Sequence, residues 1–332
     1  MILTTSNFIQ QPLVSVLMIT YNQEKTIAQA IESVLNQEGN FSLEIVIGED
    51  AGTDQTRQIC IDYQRLYPDV IKLLLQEENQ GVLKNFVDTI RLCKGEYIAI
   101  CAGDDYWIDQ HKIEKQLNFL TNHPDFGVVS TDGYRLIIKN NKLLKGLAPL
   151  NPEPNGNVFP FTWKGGVYAT PSTLLLKSEL LKFIDFDEFI RRKFFVEDVP
   201  LQAILAKHTK FGKIPDLCVV YRVNHTSLTF TNVGHPAYLA YHEGLVAIRR
   251  YLHELYPDEV HFSDTWAHDY MVYRRFLMAV YHFHYKEARQ QLSKIQKITP
   301  KEKRALQLTS THIGFWAFCI AKRIKLLKYK TS

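Results

Sequence analysis

Three kinds of signal are missing from the 332 residues, and each absence closes off a class of function. The five cysteines (Cys60, Cys93, Cys101, Cys218, Cys319) are scattered and form no Cys-x-x-Cys. That spacing excludes a disulfide framework or a zinc site and fits the reduced thiols of a cytoplasmic protein. No Gly-x-Gly-x-x-Gly follows the first apolar run, and no Walker loop occurs. A dinucleotide site is therefore disfavoured, and so is a triphosphate-binding nucleotidyltransferase. Apolar runs are short: the longest candidate, residues 313–321, has nine residues against the ~20 needed to span a bilayer. No basic segment leads into an apolar stretch near residue 1, so no secretory signal is expected.

What is present is an ordinary globular composition, 46 % hydrophobic and 22 % charged, with a net charge of +4. From Lys301 onward, eight Lys or Arg face the single Glu302, so the last stretch is basic and the body mildly acidic. Without a basic body, no nucleic-acid partner is expected. Short apolar runs at 14–20, 43–48, 70–75 and from 97 alternate with helical patterns at 26–37, 56–67 and 82–92. Apolar Ile27, Ala30, Ile31, Val34 and Leu35 recur at helical spacing in the first of these. Such alternation predicts an α/β fold with a mostly parallel sheet and helices on both faces. From Pro236 the pattern is helical and aromatic-rich, which divides the chain into residues 1–233 and a helical 234–332.

Polar residues sit where the predicted strands end: Thr20, Tyr21 and Asn22; Glu49 and Asp50; Asp104 and Asp105. The carboxyl ends of parallel strands lie along one edge, where open α/β sheets hold ligands. The run Tyr97-Ile98-Ala99-Ile100-Cys101-Ala102-Gly103-Asp104-Asp105-Tyr106-Trp107 ends a buried strand in two adjacent carboxylates. An acidic pair there suits a hard divalent cation; a plain Asx turn is the competing reading.

The ordered set of Val14–Asn22, Gly48–Thr56, Asn79-Gln80-Gly81 with Asn85, and Lys94–Trp107, followed by Glu197-Asp198 and Tyr221-Arg222, resembles glycosyltransferase family 2. That family has the GT-A fold, a Rossmann-like α/β architecture, and occurs in bacterial surface-polysaccharide pathways. The resemblance covers residues 12 to about 230. It implies a nucleotide-sugar donor, commonly a UDP-sugar, with Mn²⁺ or Mg²⁺ bridging the diphosphate. Thr20, Tyr21 and Asn22 match the segment around the nucleoside, with Tyr21 stacking on the base or merely capping the sheet edge. Asp50 matches the carboxylate that accepts a hydrogen bond from the base. Asn79, Gly81 and Asn85 match the loop and helix start beside the nucleotide, although Asn85 serves equally well as a partner for backbone groups. Asp104 would touch the nucleotide and, with Asp105, hold the metal.

Two positions depart from the family pattern. Ala102 stands where a carboxylate usually precedes the pair, and Asn224 stands where a His often lies near the metal, with His225 beside it as a weaker ligand candidate. Asp198 matches the base that deprotonates the acceptor hydroxyl in an inverting transfer, with Glu197, Trp107 and Arg222 in supporting or acceptor-side roles. A helix N-terminal acid pair is the alternative reading of Glu197-Asp198. The acceptor implied is a glycan or lipid-linked hydroxyl. Apolar Ile313, Trp316, Ala317, Ile320, Ile324 and Leu327 share one helical face above a basic tail, which suits either an anionic membrane surface or packing on the body. The expected place is the cytoplasm, peripheral to the inner face of the membrane. A catalytically weak nucleotide-sugar-binding or scaffolding subunit of a polysaccharide assembly complex is the alternative that Ala102 leaves open.

Overall fold

The computed structural model describes residues 1–3, 13–147, 155–164, 166–223, 233, 236–296, 304, 307, 309, 311–312 and 314–320. Two compact units result, Met1–Val223 and Asn224–Ser332.

The first unit is built on one ten-stranded sheet. In chain order its elements are β1 (Ile2–Leu3), β2 (Val14–Thr20), α1 (Ile27–Leu35), β3 (Leu43–Glu49), α2 (Thr56–Leu66), β4 (Ile71–Leu75), α3 (Val82–Ile90), β5 (Tyr97–Ile100), β6 (Tyr106–Trp107), α4 (Lys112–Asn122) and β7 (Phe126–Ile137). There follow β8 (Lys142–Lys145), α5 (Phe159–Thr162), β9 (Leu174–Lys177), α6 (Phe186–Arg191), α7 (Asp198–His208) and β10 (Lys210–Val223). The order across the sheet is β1-β4-β3-β2-β5-β9-β7-β10-β6, with β8 on β7.

Strands β4, β3, β2 and β5 are parallel neighbours. Covered on both faces, they read as continuous apolar runs instead of alternating ones. Val14, Val16, Leu17, Met18, Ile45 and Ile47 are fully buried. After β2 the chain steps outward to β3 and β4, then returns to place β5 on the other side of β2. Right-handed crossovers therefore put α1 and α2 on one face and α3 on the other. The reversal opens a switch point between β2 and β5, where such sheets bind ligands. The expected α/β architecture with a mostly parallel centre is the one observed.

The far half of the sheet is mixed: β9 runs antiparallel to β5 and β7, while β7 and β10 are parallel. The pattern at 126–138 predicts two strands, yet β7 runs unbroken through Thr131-Asp132-Gly133. Its partner β10 starts at Lys210, eight residues before the strand expected at 218–223, and register shifts absorb its mixed first half. At the opposite end of the parallel strands from the tips, buried Glu44 accepts hydrogen bonds from Ser15 Oγ (2.5 Å), Lys72 Nζ (3.1 Å) and Lys94 N (2.6 Å). This closed polar knot fixes how β2, β3 and β4 begin relative to one another.

The second unit contains α8 (Tyr238–Leu255), α9 (Asp264–Tyr281) and α10 (Tyr285–Leu292). Its core joins Val272, Phe276, Val280, Ala288 and Leu292 to Phe315 and Cys319. Among the described residues no helix is long and apolar enough to cross a membrane.

Candidate active site

Main-chain hydrogen bonds tie the tips of β2, β3 and β5 together. The N–H of Asp50 donates to the Thr20 carbonyl (3.0 Å), and that of Gly103 donates to the Ile19 carbonyl (3.1 Å). Gly103 has to be glycine at so close an approach: a Cβ there would lie 2.4 Å from Gln23 Oε1 and 2.9 Å from the Thr20 side chain. Thr20 is buried and hydrogen-bonded to Gln23 (2.7 Å), whereas Tyr21 is 44 % exposed at the rim, free to meet a ligand. Asn22 (φ 51°) and Ala51 (φ 55°) both turn through left-handed backbone, which costs Ala more than Asn. The Asn22 Oδ1 accepts from Thr53 N (2.7 Å), and buried Glu49 accepts from Gly52 N (2.6 Å) while pairing with Arg57. These bonds hold the two turns against each other.

Asp50 is buried, and its two oxygens accept from Gln80 N (2.7 Å) and Gly81 N (2.9 Å). Asn79 Oδ1 also accepts from Gly81 N (3.1 Å). Asp50 thus shapes the 79–81 loop, and each oxygen keeps lone-pair capacity for one further donor. Asn85 is buried, donating to the Gly48 carbonyl (2.9 Å) and accepting from Gln76. Its amide fastens α3 to β3 at a glycine where a Cβ would strike Thr89 Oγ1 at 2.0 Å. In this structure the Asn85 side chain serves the backbone.

The acidic pair divides its labour. Asp105 is 1 % exposed, with Oδ2 accepting from Ser172 Oγ (2.5 Å) and Oδ1 from Arg222 N (3.0 Å). Ser172 Oγ also accepts from Ala102 N (3.2 Å), and its carbonyl accepts from the Trp107 indole N–H (2.9 Å). The Arg222 guanidinium donates to the Asp104 carbonyl (2.6 Å) and to Gln29, and lies 4.6 Å from the Tyr106 ring centroid. Trp107 is buried and covers the Lys112 ammonium at 4.1 Å, so it supports the turn from beneath. The expectation that Asp105 holds a metal with Asp104 meets a side chain that is buried and whose two oxygens each already accept one hydrogen bond from protein. Asp104 keeps a partly exposed carboxylate. Burial raises its pKa, an effect that its own backbone N–H and then Arg222 partly offset. Burial and the Asp104 charge push Asp105 well above the usual carboxylate range.

A partly exposed carboxylate resisting its own charge beside a second one is a fitting seat for a divalent cation. No cluster of three ligating side chains exists among the described residues, so donor phosphates and waters would have to complete the shell of a cation held at Asp104. His225 lies outside those residues.

Glu197 and Asp198 open α7, Asp198 as its first residue. Both are half-buried and densely surrounded by protein. Desolvation raises both pKa values, Asp198 to about 6 and Glu197, which also feels the Asp198 charge, to about 8. The helix N-terminal N–H groups moderate the rise at Asp198. One helical turn further, buried Gln202 donates to the Ala169 carbonyl (2.9 Å) and accepts from Ala169 N (3.1 Å). Ala169 is three residues from Ser172, so a short stretch of chain links the acid pair of α7 to the Asp105 latch. Sequence reasoning missed Ser172 and Gln202 as site supports; Thr170-Pro171-Ser172 before an apolar strand was the available signal.

A family profile described as Glycosyl transferase family 2 matches residues 15–184. Putative glycosyltransferase EpsE of Bacillus subtilis is 30 % identical over 192 residues, 57 % of this chain and 65 % of that protein. An uncharacterized Mycobacterium bovis protein, Mb1547, is 40 % identical over 111 residues, 33 % of this chain and 32 % of its own length. The match thus spans about a third of the mycobacterial relative. Among solved structures, Staphylococcus aureus TarS 1–349 in complex with UDP-GlcNAc superimposes with a TM-score of 0.55 at 16 % identity, covering 87 % of this chain and 77 % of that one. At that identity the likeness is one of fold.

Proposed function

Because the chain belongs to glycosyl transferase family 2, we propose that it transfers a sugar from a nucleoside diphosphate donor to an acceptor hydroxyl, with inversion at the anomeric carbon. The observation that carries this reading is the joining of the β2, β3 and β5 tips at the switch point, with Tyr21 at the rim, Asp50 below and Asp104 partly open. A nucleoside needs an aromatic face and a carboxylate acceptor, and Tyr21 and Asp50 supply them. The likeness to TarS, which holds UDP-GlcNAc, supports a uridine-based donor.

Asp198 acts as the general base. A carboxylate with a pKa near 6 is ionised at neutral pH yet basic enough to accept the proton of a hydroxyl as it attacks. The hydroxyl oxygen bonds to the anomeric carbon as the bond to the diphosphate oxygen breaks, and the proton passes to Asp198. Glu197, protonated up to about pH 8, donates a hydrogen bond without adding repulsion. Mn²⁺ or Mg²⁺ held by Asp104 would supply electrostatic stabilisation of the departing diphosphate. Arg222 and Ser172 hold the turn so that Asp104 faces the crevice.

The acceptor is a glycan or lipid-linked saccharide of surface-polysaccharide synthesis, as names such as teichuronic acid biosynthesis glycosyltransferase TuaG among the relatives suggest. Trp316 and Ile320 are exposed while Phe315 and Cys319 face inward, leaving an apolar face ahead of the basic segment that lies outside the described residues. This supports a peripheral place on the inner membrane face.

The test is a thermal-shift screen of UDP- and GDP-sugars with and without Mn²⁺, followed by donor turnover. Binding of one donor class raises the melting temperature, and turnover releases its nucleoside diphosphate. Binding without release favours the scaffolding alternative that Ala102 leaves open; no binding by any nucleotide sugar sinks both.

A further inference from the structure

The helical unit contains a cation that no carboxylate among the described residues pairs with. Arg274, on α9, is partly buried, with its guanidinium 4.5 Å from the Tyr270 ring centroid and beside the hydroxyls of Tyr238 and Tyr270. Its Nε is buried and has no hydrogen-bond partner, and no carboxylate pairs with it among the described residues. The arginines around it differ. Arg275 faces Glu243 (3.7 Å), Arg250 meets Asp264 (3.0 Å), and Arg249 lies on Trp266 while donating to the His261 carbonyl. Buried charges in folded proteins are ordinarily paired, so a partly buried guanidinium with an unpartnered Nε and no acid beside it among the described residues favours an anion.

The groups around it match one kind of anion. A guanidinium presents a rigid fork of N–H donors suited to phosphate oxygens. The Tyr238 phenol adds a hydroxyl donor from another direction, and His242 Nδ1 shares a hydrogen bond of 2.8 Å with the Tyr270 oxygen. Burial and then the Arg274 charge push the His242 pKa down to about 3, so the imidazole offers no second cation. Donors arriving from a helix pair in several directions suit a tetrahedral group better than a flat carboxylate.

The geometry points to a phosphate-class oxyanion site in the helical unit, centred on Arg274 and walled by Tyr238, His242 and Tyr270. The phosphate comes from inorganic phosphate or from a monoester carried by a larger molecule such as a lipid. The site stands whether or not the transferase reading holds, because its test needs no sugar transfer.

The experiment titrates the full chain with inorganic phosphate and, separately, with dodecyl phosphate, at constant ionic strength, following heat of binding and melting temperature. Wild type and the crevice variant Asp104→Asn should both bind saturably and gain about 2 °C or more near saturation. Arg274→Met should lose that response, and Arg274→Lys should keep a weakened one. Tyr238→Phe, which retains the ring, should bind several-fold less tightly. Dodecyl phosphate binding at least tenfold tighter than inorganic phosphate identifies a monoester as the source; equal or weaker binding identifies the free ion. An unchanged response in Arg274→Met overturns the site, as does the absence of saturable binding to wild type. If Arg274→Met does not fold, unchanged affinities in both Arg274→Lys and Tyr238→Phe overturn it equally.

Discussion

Replacing Asp198 with Asn should make the protein inactive and more stable at the same time. Desolvation raises the Asp198 pKa from 3.8 to about 6, so the folded state disfavours the charged form relative to the unfolded chain. A shift of that size corresponds to about 3 kcal/mol as an upper bound. Because the side chain still reaches solvent, screening reduces the expected value to ~1–2 kcal/mol. The sign follows from linkage. Below about pH 4 the group is protonated in both states and its contribution vanishes. The penalty grows as pH rises from 4 to 6 and is complete above the folded-state value. Asp198→Asn should therefore unfold at higher denaturant concentration than wild type at pH 7.5, and the two should converge near pH 4. Transfer should fall by at least ~10²-fold with donor affinity kept, since a base serves the chemical step rather than binding. Equal stability changes at both pH values would refute the desolvation argument. Wild-type turnover in the variant would remove Asp198 from the chemistry.

The two adjacent carboxylates should respond in opposite ways. At pH 4, where little buried charge is relieved, Asp105→Asn should cost about 1–3 kcal/mol in denaturant unfolding, because a buried acceptor of two hydrogen bonds is exchanged for a mismatched amide. Asp104→Asn should leave stability within about 0.5 kcal/mol of wild type but weaken Mn²⁺-dependent donor binding, read by calorimetry with and without EDTA. For the membrane reading, removing residues 313–332 is too blunt, since Phe315 and Cys319 belong to the core of the helical unit. Trp316→Ser with Ile320→Ser, or removal of 321–332, should abolish sedimentation with anionic lipid vesicles while leaving the melting temperature nearly unchanged; unaltered sedimentation refutes the docking face.

The parallel half of the sheet was legible because strands covered on both faces are mostly apolar, as Val14–Thr20 and Ile71–Leu75 are apart from Ser15, Thr20 and Lys72. Asp50 and Asp104 were legible because polar groups ending such runs have few places to go. The mixed half was less so. The first residues of β10, Lys210 to Asp216, mix three charged residues, a glycine and a proline with Phe211 and Ile214 and are register-shifted, and periodicity does not register a strand of that kind. The tripeptide Thr131-Asp132-Gly133 looks like a turn and is carried through a strand because neighbours on both sides hold it there. Ser172 and Gln202 were beyond reach for another reason. A serine hydroxyl is ordinary in sequence, and its meaning comes from Asp105, which only tertiary folding brings to it. Likewise nothing local distinguishes Asp105 from Asp104; the enclosure of one and exposure of the other depend on Arg222.

Asp105 is gripped by residues 67 and 117 positions further along the polypeptide. During synthesis, the ribosome will have released every strand of the parallel half well before either partner emerges. Until then the nascent turn carries two neighbouring negative charges with nothing to seat them. Catalytic competence would therefore arrive late and abruptly, when the last strand of the first unit docks. A fragment ending after β6 would contain four of the six motif segments and still be unable to aim the Asp104 carboxylate.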